Sequence, residues 1–556
     1  MFKERDGRER RERRDVHHGL CSRDQRETRD ERDSLLRFRS APHNTRPAFL
    51  ASLALLAVML PGCLMGPDYK RPETPQAESW RVPPATSGSI ANLPWWELLK
   101  DEALHQLIRT ALQENLDLQI AAANIDEYQA QLTIARFDLI PSFSYAGSAF
   151  GFRNTTSGIL PVPGGGGVPV SQSDGITVTN AAASAGLKWE LDLWGRIRRS
   201  IEAARAQLLS KQENQRVVIL SLVGNVAESY FDLRALDLQV EISKRTLKAW
   251  EESVRISKLR YKQGDIPKLD LDRFVAERAG AAAQLADLER QVVQRENQIS
   301  VLLGHKPSVV PRGRRLTEQP MPPEVPSGLP SELLQRRPDI MKAEQDLAAA
   351  TATIGVAQAL RFPQLSFVGT GGGANLDISG GFSGAYATFS GAASLTGPIF
   401  NASALGYQVK AAEAQGNQAI AQYQKTVLLA FQEVEDALIT VQKTREQREA
   451  LEQQVEALQS ALHLADLRYQ GGRASYLDML TAQRDLFNAE LALARTRRNQ
   501  LVAVVQLYKA LGGGWQTETK ATTAAGSTAP ADSTSSAAPA VPALTTGKTA
   551  DPGASR

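Results

Sequence analysis

Cys63 is the residue of this chain whose position most clearly predicts covalent chemistry. It follows a 13-residue apolar run, 48–60, which comes after Arg37, Arg39 and Arg46. As a helix this run would span ~20 Å, which is shorter than the ~30 Å hydrocarbon core of a bilayer. A basic region, a short apolar core and small residues at its end are typical of an export signal. The run therefore predicts secretion rather than a membrane-spanning helix.

The junction Leu60-Pro61-Gly62-Cys63 resembles a bacterial lipobox. The resemblance implies cleavage before Cys63 and acylation of its sulfur and its new amino group. Leu64, directly after the cysteine, implies sorting to the outer membrane. Residues 1–47 are longer and more charged than the basic region of a signal peptide, so we expect translation to start later than Met1.

The other polar residues argue against several kinds of site. Three of the six histidines lie before residue 47, and the other three, His105, His305 and His463, are widely spaced. With only two cysteines, these residues leave no zinc or disulfide framework. The glycine runs at 164–167 and 371–373 lack the Lys-Ser/Thr and the helix start of a phosphate-binding loop. A formal charge of +3 is too small to indicate a nucleic-acid partner. We therefore expect no cofactor, no resident metal and, without a nucleophile–base pair, no enzyme.

Two parts of the chain contain the same short motifs in the same order. One set recurs 208 residues later and consists of Leu259-Arg260-Tyr261, Gly264 and Leu269-Asp270. Two further motifs have looser counterparts 222 residues later. Asn115-Leu116-Asp117-Leu118 corresponds to Arg337-Pro338-Asp339-Ile340, and Pro141-Ser142-Phe143 corresponds to Pro363-Gln364-Leu365. An internal repeat of this kind predicts one structural unit written twice.

The repeats define the predicted domains. The two units are 97–304 and 331–515, joined by a linker at 305–330. Residues 1–62 form the N-terminal extension and signal peptide, and 63–96 form an anchored N-terminal segment. Residues 516–556 are rich in Ala, Thr, Ser, Pro and Gly, which predicts a disordered tail.

The sequence of each unit predicts the same helices and strands in the same order. A first helix, over 97–137 or 331–360, ends before a proline. Two strands around a Gly-rich loop follow, at 142–152 and 177–189 and again at 364–376 and 383–395. A proline-free helix comes next, over 195–262 or 401–470, and turns at a glycine into a shorter return helix. Heptad spacing in the long helices predicts side-by-side packing, and the first of them would be ~100 Å long.

In this order the motifs resemble the TolC-like outer-membrane factors, in particular the NodT-type lipoprotein branch of tripartite efflux systems. The motifs that carry the resemblance are Gly66-Pro67-Asp68-Tyr69-Lys70-Arg71-Pro72, Trp95-Trp96, Arg336-Arg337-Pro338-Asp339-Ile340, the two Arg-Tyr-x-x-Gly turns at 260–264 and 468–472, and Leu511-Gly512-Gly513-Gly514-Trp515. They cover nearly all of the chain after Cys63.

The resemblance implies an α+β membrane protein. Long antiparallel helical hairpins would form a periplasmic tunnel, and each of three copies would give four strands of a 12-stranded transmembrane β-barrel. It implies a homotrimer that is lipid-anchored in the outer membrane and contacts its lipid. The implied partners are a periplasmic adaptor protein and an inner-membrane pump, of the resistance-nodulation-division type. The implied function is passive conduction of drugs or other small molecules.

The candidate gate lies at the glycine turns, which are the far tips of the hairpins. Three copies would repeat each side chain there in a ring, and such rings control ion passage. The resemblance assigns Tyr469, Leu477 and Arg484 to this constriction and puts Thr481 where the family has an aperture aspartate. Nearby carboxylates that could replace that aspartate are Asp478, Asp270 and Asp272. Seam packing, helix-dipole compensation and surface ion pairing are the structural alternatives for these residues.

Two other functions are open at this point. A metal-cation efflux channel of the same fold has no Met- or His-rich lining to support it. A lipid-anchored periplasmic coiled-coil scaffold without a pore would explain the heptads. The scaffold would not explain two strand pairs at matching places in both repeats.

Overall fold

A computed structural model describes residues 64–73, 80–81, 100–154, 158–162, 166–170, 176–320, 333–378, 382–471, 473 and 476–513. Cys63, the signal segment, Trp95-Trp96 and the predicted tail at 516–556 lie outside these residues.

The two repeats contain the same main elements in the same order. In the first repeat these are α1 (Glu102–Glu114), α2 (Leu116–Phe137), β1 (Ser142–Asn154), β2 (Gly158–Val162), β3 (Gly166–Val170), β4 (Ile176–Leu191), α3 (Arg196–Gln263) and α4 (Lys268–Leu302). A short 3₁₀ turn at Leu316–Glu318 follows. In the second repeat they are α5 (Leu333–Arg336), α6 (Pro338–Ala359), β5 (Gln364–Ile378), β6 (Phe382–Thr396), α7 (Ala402–Gln470) and α8 (Tyr476–Ala510).

The prediction of one continuous first helix per repeat was wrong. The helix of the first repeat breaks at Asn115, whose ψ of 131° leaves the helical region, and the Asn115 side chain then caps α2 by accepting from the Leu118 N–H at 3.1 Å. The helix of the second repeat breaks at Arg337, because Pro338 disfavours helical dihedrals in the residue before it.

The long helices confirm the predicted pair of antiparallel hairpins. α3 has 68 residues and packs against α4, and α7 has 69 residues and packs against α8. α3 ends at Gly264, whose φ of +83° is the left-handed conformation that glycine adopts without a Cβ penalty. In the half near the strands the helices pack in the order α2-α3-α6-α7, and in the half near the tips the order is α4-α3-α8-α7.

The four predicted strands form one antiparallel sheet in the order β1-β4-β5-β6. Its register runs without a bulge, from Ser142 opposite Lys188 to Ile378 opposite Phe382. The Gly-rich loop of the first repeat was predicted without regular structure, but the structure has a small hairpin there, in which β2 pairs with β3. Prolines and glycines conceal a strand pair of this kind from local sequence patterns.

The largest hydrophobic cluster lies where α1, α3 and the ends of α4 and α8 meet. Asp101 is buried beside it and starts α1. Its carboxylate accepts hydrogen bonds from the Tyr230 hydroxyl at 2.9 Å, the Gln319 amide at 2.6 Å and the Ala103 and Arg314 N–H groups. Several donors on one buried carboxylate offset the cost of removing its charge from water. This site fixes the linker residues 310–320 against the helices.

Candidate functional site

The hairpin tips are joined by one buried cluster. Trp250 on α3 packs edge-on against Phe274 on α4, and Met479 and Leu480 at the start of α8 pack with them. All four side chains are less than 9% exposed. Because the cluster takes side chains from both hairpins, it fixes one tip against the other.

Tyr469, one of the predicted gate residues, lies at the edge of this cluster. Its hydroxyl accepts a hydrogen bond of 2.7 Å from Nη1 of Arg260, and the Arg260 guanidinium lies 5.1 Å from the centre of the Tyr469 ring. This contact combines a hydrogen bond with a cation–π interaction and links the last turn of α3 to the last turn of α7. Arg260 belongs to a repeated motif of the sequence but was not among the predicted gate residues.

The structure brings the remaining predicted gate residues close to the tips but not into one cluster. Asp270 is half-buried in the first turn of α4 and forms an ion pair of 3.5 Å with Arg273. Asp272 on the next turn is exposed. On α8, Leu477 and Asp478 are exposed and Thr481 is partly buried. The position of Asp270 fits a helix-dipole role as well as a role at an aperture.

Arg484 lies further along α8, away from the glycine turn. It pairs with Asp485 at 3.6 Å and lines a groove of about 470 Å³ between α4 and α8, with Trp250 and Gly280 among the other lining residues. An exposed pair of neighbouring residues contributes little to stability.

Two equivalent joints connect the strand-side helices to the hairpins. In the first joint, the Asn115 side chain donates to the Leu302 carbonyl at 2.9 Å. In the second joint, Arg337 donates to the Ala510 carbonyl, also at 2.9 Å. Residue 337 follows 115 by 222 positions, and residue 510 follows 302 by 208, which are the offsets of the sequence repeat. The duplication is therefore present in the three-dimensional contacts as well.

A glycine completes each joint. Gly304 has φ of +78°, and a Cβ on it would lie 2.4 Å from the Glu114 carbonyl oxygen. Gly512 has φ of +77°, and its Cβ would lie 3.2 Å from the Arg336 carbonyl oxygen. Both positions need glycine for its conformation, and Gly304 also needs it for space.

A cavity of about 510 Å³ lies beside the second joint, and Glu228, Arg337 and Lys509 are among its lining residues. Burial raises the pKa of the Glu228 carboxyl above its ordinary value, and the nearby Lys509 ammonium opposes that rise. Arg337 is buried, but Asp339 at 2.6 Å and Glu433 at 2.7 Å keep its charge paired.

In the half of the sheet next to the helices, one face is apolar and the other is mostly polar. Even-numbered residues pair with even-numbered ones across all four strands, so they share a face. Towards the helices that face carries the polar side chains Ser144, Ser148, Asn180, Ser184, Lys188, Thr370, Thr388, Ser390 and Ser394. At the far end the same face carries Phe150, Phe152, Val178, Leu376 and Tyr386 instead. The opposite face carries Phe143, Tyr145, Leu187, Trp189, Phe367, Phe389 and Leu395. On β6 the odd positions from 385 to 395 are all Ala, Gly, Phe or Leu, an 11-residue stretch, and a tilted strand needs ~9–11 residues to cross a bilayer.

Residues 64–73, called here the N-terminal strap, lie along α3 and α6. Arg199, whose side chain is 2% exposed, donates to the Gly66 carbonyl at 3.2 Å and to the Asp68 carboxylate at 2.7 Å. Gly66 approaches α6 so closely that a Cβ on it would lie 2.4 Å from the Gly355 Cα. The strap is therefore fixed between the two repeats.

The second half of the strap contacts α6 through Glu344. The Tyr69 hydroxyl donates to the Glu344 carboxylate at 3.1 Å, and Arg71 forms an ion pair with the same carboxylate. Burial and the negative charge of Glu344 raise the pKa of the Tyr69 phenol, so the phenol remains a donor. The predicted lipidation residue, Cys63, lies outside the described residues.

Within the described ranges, no helix is both long and apolar enough to cross a membrane. Among the same residues, no group of three or more His, Cys, Asp or Glu side chains could hold a metal ion.

A four-stranded sheet with an apolar face, attached to two antiparallel helical hairpins of ~100 Å, defines the class of TolC-like outer-membrane channel proteins. The profile of the family described as "Outer membrane efflux protein" matches residues 107–305 and 329–513. The chain belongs to this family. The predicted fold class, the predicted outer-membrane location and the predicted role as an efflux channel are thereby confirmed.

Known relatives cover most of the chain. It is 38% identical over 477 residues to "Probable efflux pump outer membrane protein TtgC" of Pseudomonas putida, covering 84% of this chain and 96% of the relative. It is 30% identical over 466 residues to "Cation efflux system protein CusC" of Escherichia coli, covering 83% of this chain and 98% of that protein. The structure of the outer-membrane channel OprN superposes with a TM-score of 0.71 at 30% identity, covering 82% of this chain and all of that one.

Proposed function

We propose that three copies of this chain associate into one channel that crosses the outer membrane and continues into the periplasm. The observation that carries the proposal is the sheet, which has an apolar face and ends in two long edge strands, β1 and β6. Unpaired strand edges in lipid cost several kcal/mol for each polar group. Pairing β6 of one copy with β1 of the next leaves no edge and gives three times four strands.

The helices support the same association. α6 packs between α3 and α7, whereas α2 packs chiefly against α3. Phe137 on α2 is 62% exposed, while Ala359, its equivalent 222 residues later on α6, is 1% exposed. An apolar residue of this size favours burial, worth ~1.5–3 kcal/mol for a full side chain. In the trimer, α7 of the next copy covers this face of α2.

Exported molecules pass through the channel without chemical change, so the chain acts as a conduit and not as an enzyme. Its energy comes from an inner-membrane pump of the resistance-nodulation-division type, and a periplasmic adaptor protein joins the pump to the hairpin tips. α3 supports this arrangement because 68 residues at ~1.5 Å each reach ~100 Å from the strands. The predicted division at 97–304 and 331–515 assigns one hairpin to each repeat.

Single-channel recording in planar bilayers tests the proposal. Purified full-length protein is expected to migrate in mild SDS as a trimer that heat dissociates, and to give steady conductance steps. A coiled-coil scaffold would give a folded, lipid-bound protein without conductance. Monomeric protein that inserts no channel would contradict the proposal.

Cys63 anchors the channel in the membrane through its acyl chains. The strap supports this role because Leu64, the next residue, packs against Gly195 at the start of α3, so closely that a Cβ on Gly195 would lie 3.0 Å from the Leu64 Cδ1. The anchor would then lie near the end of β4. The intact mass of the native protein is expected to correspond to a chain starting at an acylated Cys63, with Cys63→Ser as the control. A mass that retains residues 1–62 would contradict the lipid anchor.

The hairpin tips act as the gate. The side chains assigned to it are those predicted from the sequence: Tyr469, Leu477, Asp478, Thr481, Arg484, Asp270 and Asp272. The exposure of Leu477 and Asp478 at the start of α8 supports the assignment. The double variant Asp270→Ala/Asp478→Ala is expected to raise the single-channel conductance, because it removes two carboxylate rings from a narrow aperture. Glu449→Ala, an exposed carboxylate on α7 away from the tip, is the matched control. Equal conductance in all three proteins would move the gate elsewhere.

Organic small molecules, including drugs, are the proposed cargo. The name of the relative CusC makes metal cations the second candidate. Expression in a strain that lacks its own outer-membrane efflux component distinguishes the two. Regained resistance to organic antibiotics supports the first candidate, and regained resistance to transition-metal salts alone supports the second.

A further inference from the structure

The contact between Arg260 and Tyr469 joins the two copies of a repeated motif. Arg260 belongs to Leu259-Arg260-Tyr261 in the first repeat, and Tyr469 belongs to Leu467-Arg468-Tyr469 in the second. Arg260 therefore uses the tyrosine of the other repeat instead of its own neighbour in sequence. The contact leaves one arginine and one tyrosine of the duplicated motif, Arg468 and Tyr261.

The burial of the four side chains follows this division. Arg260 and Tyr469 are partly buried in the chain. Arg468 is exposed, and Tyr261 is 42% exposed. Equivalent residues of the two repeats thus have opposite surroundings, as expected if each remaining residue lies at a surface that another copy covers.

The helix order shows where that surface lies. Near the tips the helices pack in the order α4-α3-α8-α7, so α4 and α7 lie at the two outer sides of the chain. Inside the chain, α3 of the first repeat contacts α8 of the second. Because α7 is the counterpart of α3 and α4 is the counterpart of α8, the equivalent contact is one of α7 with α4. The single chain packs α7 against α8 but cannot make that second contact. A neighbouring copy with its α4 beside α7 can.

The two joints show that the repeats are equivalent in space as well as in sequence. The hydrogen bonds from Asn115 to Leu302 and from Arg337 to Ala510 occupy the same places in both. The rotation that carries the first repeat onto the second therefore carries the second onto the first repeat of the next copy, if three copies form a ring. The same rotation carries Arg260 onto Arg468 and Tyr469 onto Tyr261 of the partner subunit.

We propose that Arg468 contacts Tyr261 of the partner subunit, so that six Arg–Tyr contacts ring the hairpin tips. Three of them lie within copies, between Arg260 and Tyr469, and three lie between copies. This proposal rests on the threefold association proposed above. The contacts between copies connect neighbouring tips, so any movement that separates the copies at the tips breaks them and leaves the contacts within copies intact.

Cross-linking through cysteine pairs tests the proposal. The pair Tyr261→Cys/Arg468→Cys is compared with the pair Arg260→Cys/Tyr469→Cys in the full chain, each with its single-cysteine variants as controls. A disulfide requires Cβ atoms ~4 Å apart, whereas these contacts use long side chains. A bifunctional thiol reagent spanning roughly 10 Å is therefore used. The Arg260/Tyr469 pair, with its known contact, calibrates the reagent.

The expected results differ in covalent size on a denaturing gel. The 261/468 pair should give species of two and three chains, with a yield similar to that of the internal pair. The 260/469 pair should remain one chain with altered mobility. An amine-reactive cross-linker applied in parallel reports the trimer independently. If the amine-reactive reagent gives trimers but the 261/468 pair gives only single chains, the proposed ring of contacts is wrong while the threefold association stands. Absence of trimers by both reagents would overturn the association itself.

A functional measurement separates a specific contact from simple proximity. Arg468→Ala is expected to lower the temperature at which trimers dissociate in SDS, and Arg468→Lys to restore it only in part, because lysine lacks the planar guanidinium that lies on the ring. Arg445→Ala, an exposed arginine higher on α7 that pairs within its own helix, is the control. Equal dissociation temperatures for Arg468→Ala and the parent would contradict the proposal.

Discussion

The two joints of the molecule have the same geometry but different chemistry. At the first, a neutral Asn115 caps α2 and bonds the last carbonyl of α4. At the second, the buried cation Arg337 bonds the last carbonyl of α8 and is neutralised by Asp339 and Glu433. The shared features are backbone features: a break in the helix, a carbonyl to be satisfied and a glycine with positive φ. A duplicated fold can therefore retain its backbone contacts while its side chains differ.

The same comparison applies to packing. Phe137 of the first repeat is exposed, whereas its equivalent Ala359 in the second repeat is buried. Within the chain, the first repeat packs against the second through one interface. A closed ring of three copies also needs an interface between the second repeat of one copy and the first repeat of the next. What differs between the repeats is thus an indication of where another copy binds.

The largest expected effect is at the joint glycines. Gly304→Ala should cost about 3 kcal/mol or more, because positive φ alone costs ~1–2 kcal/mol and the new Cβ would press on the Glu114 carbonyl. Gly512→Ala should cost only ~1–2 kcal/mol, since its Cβ has more room. Thermal unfolding in detergent measures both. Gly280→Ala, in mid-helix with open space around it, is the control and should be neutral or slightly stabilising. Equal losses at 304 and 512 would break the ranking.

The second largest expected effect is the loss of stability on removing the side chains that bond the helix ends at the two joints. Arg337→Ala is expected to cost about 2–3 kcal/mol, because it leaves two carboxylates and one carbonyl without their donor, although both carboxylates are partly solvated. Asn115→Ala should cost about 1–2 kcal/mol through the lost cap and hydrogen bond. Urea unfolding of both variants decides the order. A greater loss for Asn115→Ala would show that the charged joint is not the more costly one to remove.

The two tip tyrosines should respond alike in the assembled protein. Tyr469→Phe loses the hydrogen bond from Arg260 and should cost ~0.5–1.5 kcal/mol. Tyr261→Phe should cost the same if Arg468 of the neighbouring copy contacts it. Urea unfolding of the assembled trimer breaks both kinds of contact and therefore measures both losses in free energy of unfolding. A loss for Tyr469→Phe with none for Tyr261→Phe would make the repeats unequal at the tip.

The smallest expected effect concerns Glu228 beside the second joint. Its raised pKa means that the folded chain binds this proton more tightly than the unfolded chain does. Stability should therefore fall as pH rises from the ordinary carboxyl value of 4.5 through the raised value, and then level off. The glutamine of the variant Glu228→Gln cannot ionise. Below that pH window the variant should therefore be no more stable than the parent protein, and above it the gain in free energy of unfolding should remain under ~1 kcal/mol. Urea midpoints from pH 4 to 8 test this, and a constant difference would contradict it.

Local sequence signals were sufficient for most elements. Proline-free heptads predicted α3 and α7, and glycines predicted the hairpin turns. Stretches rich in Gly, Ser, Thr and aromatic residues on either side of a Gly-rich loop predicted β1, β4, β5 and β6. The break at Asn115 also had a local signal, since asparagine is a preferred N-cap, but the motif was used only as a marker of the repeat. The β2–β3 hairpin was missed because its prolines and glycines lack strand propensity.

The sequence by itself determined the duplication, the family resemblance and the order of helices and strands, because each is carried by short motifs and local residue patterns. Only the tertiary structure decided that Arg260 contacts Tyr469, that Asn115 and Arg337 occupy equivalent joints, and that Arg199 fixes the strap. These contacts join residues more than 100 positions apart. No propensity or periodicity records such a distance, since the contacts exist only after the hairpins have packed side by side.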